Sequence, residues 1–346
     1  MFRSKTVFIV GAGANCDLGF PNGAQLLNEI AEALDFYANS PTRSDGGDDR
    51  IYQTLCRLSG VHSGVSTQLT QYQAAALQIR SAAPLGQSID YVINQLDGSP
   101  FVAKVGKLAI ARRILDAERD SILNFRLNRV GDLETLAVAR ATWLGGFVQL
   151  LVQDKTRTSL DDIFNNVSII SFNYDRSVRQ FMPLALSSQF GLSLADAQEL
   201  ARKLPIYHPY GSLGPLPWED AFNNVEFGNI DADLSSAAKR LRTFTEQIED
   251  GEELAAMRQA LSEAKHIVFL GFAYHPQNMT LLQRGVQGSA TRVYGTAVGL
   301  SDADKQVVHG QLNSFLTQAS RIALPPKLSP LVCVQFLSEY SRALTA

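Results

Sequence analysis

Val7-Phe8-Ile9-Val10-Gly11-Ala12-Gly13 sets four consecutive apolar residues directly before a pair of glycines. A short β-branched and aromatic run with no polar alternation reads as a strand buried on both faces, which is how strands of a parallel sheet read. A helix is predicted from about Gly23, with Leu26, Leu27, Ile30 and Leu34 on one face. Further strands are predicted at Val167–Phe172, Leu204–His208, His266–Gly271, Arg292–Gly295 and Leu331–Phe336. Helical patterns lie between them at Arg176–Leu186, Asp233–Ile248, Gly251–Glu263, Asn278–Val286 and Asp302–Ala319. Repeated alternation of strand and helix predicts an α/β fold with a doubly wound parallel sheet.

One long stretch breaks the alternation. Asn39–Asp49 (NSPTRSDGGDD) is polar and rich in turn residues, and from Ile51 to about Asp154 the pattern is helical, at Gln71–Arg80, Phe101–Leu123 and Leu133–Val152. Leu133, Leu136, Ala137, Arg140, Leu144, Phe147, Val148 and Leu151 step by three and four, a mostly apolar stripe. The expected organisation is therefore a discontinuous Rossmann-like core, residues 1–38 and 156–346, with a large all-helical insertion over 39–155.

Composition narrows the function classes. The 346 residues are 45% hydrophobic and 19% charged, an ordinary globular balance. A net charge of −3 offers no overall positive field for phosphates, so direct nucleic-acid binding is not expected. Apolar runs such as Ile267–Ala273 fall far short of the ~20 residues of a membrane span, so no membrane association is expected. Three cysteines, an odd number without a C-x-x-C pair, exclude a disulfide framework and a cysteine zinc site and point to the cytoplasm. The five histidines lack close ligand spacing, so no metal is expected.

Candidate chemistry gathers where strands end. Gly11-Ala12-Gly13 follows the first strand at the carboxyl edge, where open α/β sheets bind ligands and where glycines let backbone approach a diphosphate. The dehydrogenase pattern G-x-G-x-x-G fails, because its third glycine position is Cys16 and the acidic residue about 20 positions on, Asp35, falls in a predicted helix. The strand Val167–Phe172 delivers Asn173 and Asp175 to the same edge, and either can instead cap the next helix. Ile206-Tyr207-His208-Pro209-Tyr210-Gly211-Ser212 leaves the sheet there too, as does Gly271-Phe272-Ala273-Tyr274-His275-Pro276.

Taken in order, these segments resemble the sirtuin-like family over most of the chain outside the helical stretch. Gly11-Ala12-Gly13 with Gly19-Phe20-Pro21 resembles the family's G-A-G-x-S and G-I-P loop, and Ser171-Phe172-Asn173-Tyr174-Asp175 its T-x-N-x-D. Tyr210-Gly211-Ser212 lies where the family has H-G-S, Gly271-Phe272-Ala273 resembles its G-T-S, and Val293-Tyr294-Gly295-Thr296 falls where a late strand meets the adenosine half. The resemblance implies cleavage of the nicotinamide–ribose bond of NAD+, here a substrate. It implies contacts from Gly11, Ala12, Gly13, Asn15, Pro21, Asn173, Asp175, Gly271, Phe272 and Thr296.

Departures from the family select the branch. Only Cys333 follows Asn173, so the four-cysteine zinc module of protein-deacylating members is absent, and Pro21-Asn22-Gly23-Ala24 replaces the P-D-F-R element. The chain is more similar to bacterial NAD hydrolases of phage defence, which carry comparable helical insertions. Such an enzyme implies depletion of NAD+, gated by homo-oligomer formation or by a partner such as a HerA-type ATPase. Ser88-Ile89-Asp90 resembles a short element of those insertions, or is a plain helix start. The implied catalytic set is Asn173 to orient water or a ribose hydroxyl, Asp175 to favour the developing positive charge and His208 to accept a proton. In a strand, positions two apart face one side, so His208 is expected to reach the pocket at which Tyr210 replaces the family histidine. Tyr210 and His275 are the alternatives for that role. Two other functions compete: a catalytically silent sensor of NAD+ or ADP-ribose, and a protein deacylase or ADP-ribosyl transferase.

Overall fold

The computed structural model describes residues 2–36, 46–60, 66–96, 98–125, 132–243, 246 and 251–346. Most of the polar break at Asn39–Asp49, and with it the expected boundary at residue 38, lies outside the described residues.

The chain begins with β1 (Thr6–Val10), a 3₁₀ helix over Ala12–Leu18 and α1 (Gly23–Ala33). There follow α2 (Asp49–Leu58), α3 (Thr67–Ala82), α4 (Ile89–Gln95), α5 (Pro100–Asp120), α6 (Asp132–Ala139) and α7 (Trp143–Val152). The alternating part runs β2 (Val167–Ser171), α8 (Ser177–Phe190), α9 (Leu194–Arg202), β3 (Ile206–Tyr207), α10 (Leu234–Lys239), α11 (Glu252–Glu263) and β4 (His266–Leu270). It continues with α12 (Pro276–Gln283), β5 (Arg292–Thr296), α13 (Asp302–Leu312), α14 (Gln318–Ala323), β6 (Lys327–Ser329), α15 (Cys333–Glu339) and α16 (Ser341–Thr345).

The six strands form one sheet in the order β3-β2-β1-β4-β5-β6. Every pairing is parallel, with Val10 level with Ser171 on one side and Leu270 on the other. This is the doubly wound order of a Rossmann-like fold, in which the path reverses between β1 and β4. Strand side chains alternate between two cores: Val7, Ile9, Ile267 and Phe269 enter one, Phe8, Val10, Val268 and Leu270 the other. The helical stretch shares these cores. Residues of α2, α3, α4 and α5 join α1 on the first face, whereas Trp143, Leu144, Phe147 and Leu151 of α7 pack on the second. Among the described residues no helix is long and apolar enough to cross a membrane.

Several predicted elements change. The helix predicted over Asp233–Ile248 stops at Lys239, and that over Asp302–Ala319 breaks after Leu312 into a 3₁₀ turn and the start of α14. Leu133–Val152 is two helices, because Trp143 is drawn out of register: its backbone N–H donates to Asp17 Oδ2 at 3.0 Å and its indole N–H to Asn15 Oδ1 at 2.8 Å. Leu331–Phe336 is not a strand. The edge strand is Lys327–Ser329, closed by Pro330, and Cys333, Phe336 and Leu337 are buried at helical spacing. The strand predicted to reach His208 stops at Tyr207, since Gly211 N–H donates to His208 O at 2.8 Å and closes a turn.

One buried ion pair ties α5 to the loop after β2. Glu118, with no exposed surface, accepts from Arg176 Nε at 3.0 Å, from Arg176 N at 3.2 Å and from Gly228 N at 3.1 Å. Arg176 also donates to the Val225 carbonyl. Glu118→Ala would leave a buried guanidinium without its counter-charge and is expected to lower the unfolding free energy by about 3–5 kcal/mol. Urea denaturation checks this, and a loss under about 1 kcal/mol would mean that the pair behaves like a surface bridge.

Candidate functional site

A cavity of about 860 Å³ opens at the carboxyl edge of the sheet, where β1 and β4 lie side by side and the strand order reverses. The turns after β1, β2, β4 and β5 line it, together with the first residues of α1, α4, α12 and α15. Gly11, Ala12, Gly13, Asn15, Pro21, Asn173, Asp175, Gly271, Phe272 and Thr296 all line this one cavity. Among the described residues lining it there is no lysine or arginine.

The glycines are fixed by contact between two turns. A Cβ on Gly11 would stand 2.6 Å from Gly271 O, and one on Gly13 2.9 Å from the same oxygen. Gly271 has φ +56°, and its Cβ would fall 1.9 Å from Ala14 N. The amides follow suit. Gly11 N–H donates to Leu270 O at 2.9 Å, Gly13 N–H to Gly271 O at 3.0 Å and Ala14 N–H to Gly11 O at 3.0 Å. These three donors are thus engaged within the protein, not offered to a ligand. Helix starts supply donors instead. The N-termini of α12 and α15, at Pro276–Asn278 and Val332–Cys333, line the cavity without a side-chain cap, so their partial positive charge faces it.

Asp175 and Asn173 divide their duties. Asp175 Oδ1 accepts from Ser177 N at 3.0 Å and caps α8, while Oδ2 accepts from Asn15 Nδ2 at 2.8 Å. Burial pushes its carboxyl upward, and those donors pull the other way. Asn15, held in turn by Trp143, therefore joins the glycine turn, the loop after β2 and α7. Asn173 donates from Nδ2 to Gly11 O at 3.2 Å, but its buried Oδ1 has no partner among the described residues. A buried acceptor without a partner, on a residue that lines a cavity, is the exception that calls for an explanation.

The three aromatic or imidazole candidates are separated. His208 is not among the residues lining the cavity: its Nδ1 lies 3.2 Å from the backbone oxygen of Asn173, and its backbone N–H donates to Glu253 Oε1 at 3.0 Å. The turn at His208–Gly211 removes the strand periodicity that would have aimed positions 208 and 210 alike. Tyr210 does line the cavity, donating to Asn278 Oδ1 at 2.6 Å, and burial holds its phenol well above the ordinary range. His275 lines it too, with no hydrogen-bond partner for its ring among the described residues, and burial lowers its imidazole.

Asp90, the last residue of Ser88-Ile89-Asp90, reaches the cavity from the start of α4 and accepts from the Tyr174 hydroxyl. Burial pushes its carboxyl up to about 6. Tyr174, Asn278 and Trp143 escaped sequence reasoning: each lies beside a recognised motif, but nothing in its spacing says which way it turns. Among the described residues no group of three histidine, cysteine, aspartate or glutamate residues could hold a metal ion.

No protein-family profile matches the chain. A 119-residue segment is 32% identical to conditioned medium factor of Dictyostelium discoideum, covering 34% of this chain and 16% of that protein.

Gly271→Ala separates the two demands on that residue. With φ +56° and Ala14 N at 1.9 Å, it is expected to destabilise by several times the ~1–2 kcal/mol that a left-handed non-glycine residue costs. Gly60→Ala, at φ +64° with nothing within 4 Å among the described residues, should show only the conformational cost. Equal shifts in thermal unfolding would show that the contact between the turns is not tight.

Proposed function

We propose that the protein hydrolyses NAD+ to nicotinamide and ADP-ribose. The observation that carries this reading is Asn173: a cavity-lining residue anchored through Nδ2 to the Gly11 carbonyl beside the strand-order reversal, whose buried Oδ1 has no partner among the described residues. From β2 to β5 is three inter-strand spacings, about 14 Å at ~4.8 Å each, which suits a dinucleotide laid across the strand ends. Its diphosphate would meet the starts of α12 and α15, and the adenosine half would lie toward Thr296. The nicotinamide ribose would lie toward Asn173.

Breaking the C1′–N bond sends its electron pair to the ring nitrogen, so the pyridinium leaves as neutral nicotinamide and needs no proton. Water then bonds to C1′, and its proton must be accepted. Asn173 Oδ1 would orient that water or a ribose hydroxyl. His275 is the imidazole that lines the cavity, and it would take the proton. His208, through the Asn173 backbone oxygen, would act as a positioning residue. An NAD-depleting role in phage defence, with control by self-association or a HerA-type ATPase, extends this proposal along the family resemblance. A silent sensor is the second reading, favoured by Tyr210: a phenol that donates its proton to Asn278 Oδ1 does not replace an imidazole base.

Asn173→Ala is expected to cut nicotinamide release at least about a hundredfold while ADP-ribose affinity, read by calorimetry, stays within about threefold. Near-normal turnover would remove Asn173 from the mechanism. His275→Ala should cost on the order of a hundredfold in turnover and His208→Ala much less. The reverse order would return the base to His208. Because only neutral imidazole accepts a proton and burial lowers His275, wild-type activity should fall only below about pH 6.5, its ordinary value. A limb centred above that value would exclude His275.

A further inference from the structure

Within the cavity, Asp90 is a carboxylate without a counter-charge among the lining residues. Asp175 also lines it, but both of its oxygens accept protein donors. Asp90 receives the Tyr174 hydroxyl, forms no ion pair among the described residues, and has no lysine or arginine beside it in the lining. A carboxylate on a cavity wall without a counter-charge beside it favours a ligand that brings one.

The surroundings specify what kind of cation. Tyr174 and Tyr210 have ring centroids 6.4 Å apart, Tyr210 and Phe172 5.7 Å, and Phe172 and Phe272 5.1 Å, and all four rings line the cavity. Aromatic faces attract cations and stack on flat rings, and they solvate an ammonium or metal ion poorly compared with water. The carboxylate and rings gather where the loops after β2 and β3 meet the start of α12, whose Asn278 accepts the Tyr210 hydroxyl.

We infer that Asp90, with the rings of Tyr174 and Tyr210, forms a seat for a flat cationic ring and makes the site select the oxidised dinucleotide over the reduced one. The inference rests on the function proposed above. The pyridinium of NAD+ carries the positive charge that Asp90 lacks, whereas the dihydropyridine of NADH is neutral. Asp90 comes from the helical stretch, which therefore supplies specificity as well as cover.

The test is calorimetric titration of ADP-ribose, NAD+ and NADH in an Asn173→Ala background, where turnover is suppressed. NAD+ is expected to bind about tenfold or more tighter than NADH, the scale of one charge contact in a partly buried site. Asp90→Asn should bring that ratio below about three with ADP-ribose affinity unchanged, and Tyr174→Phe, which keeps the carboxylate, should preserve it. A parental ratio near one, or an unaltered ratio in Asp90→Asn, overturns the inference while ADP-ribose binding upholds the nucleotide reading. Absence of binding by all three ligands overturns that reading itself. If Asp90→Asn fails to fold, Asp90→Ser is read in the same way.

Discussion

Two turns meet backbone to backbone at the strand-order reversal, and the architecture of the cavity follows from that contact. Gly11 and Gly13 lie against the Gly271 carbonyl with no room for a Cβ, and Gly271 takes a left-handed conformation against Ala14. The same closeness lets Gly13 N–H reach Gly271 O, while Gly11 O accepts both the Ala14 N–H and the Asn173 amide. Glycines at such a place are usually read as room for a phosphate. Here they serve first as the joint between neighbouring strands, and the uncapped helix starts that line the cavity lie further along the edge.

The helical stretch is built into this joint. Its α2 to α5 cover one face of the sheet, α7 covers the other, and polar contacts bring it to the strand ends, among them Trp143 to Asn15, Glu118 to Arg176, and Asp90 to Tyr174. Arg176, Asp175 and Tyr174 are consecutive residues of the loop after β2, so each contact grips or borders the same few residues. The apolar faces explain why the stretch stays attached, and the polar contacts fix where the loop bearing Asn173 stands.

The sheet was legible because buried parallel strands leave a local mark: Val7–Val10 and Ile267–Leu270 are continuous apolar runs closed by glycine. Helix α1 was legible through the spacing of Leu26, Leu27 and Ile30. Convergence of Gly11, Asn173 and Gly271 followed from topology, since carboxyl ends of parallel strands share one edge. What escaped depended on tertiary contact. Val332 to Phe336 is β-branched enough to read as a strand, yet docking of Phe336 and Leu337 in the core with α7 makes it a helix. The separation of His208 from Tyr210 turns on one hydrogen bond, Gly211 to His208, which no periodicity announces.

The bond between Trp143 and Asn15 has an optical consequence. The chain contains two tryptophans, and Trp143 is fully buried with its indole N–H donating to a residue of the cavity wall. Indole emission shifts with the polarity and hydrogen bonding of its surroundings, so the chain carries a fluorophore wired to the Asn15–Asp175 link. With Trp218 replaced by phenylalanine, its intrinsic emission becomes a label-free gauge of how firmly that link holds, in the resting protein and as a ligand enters.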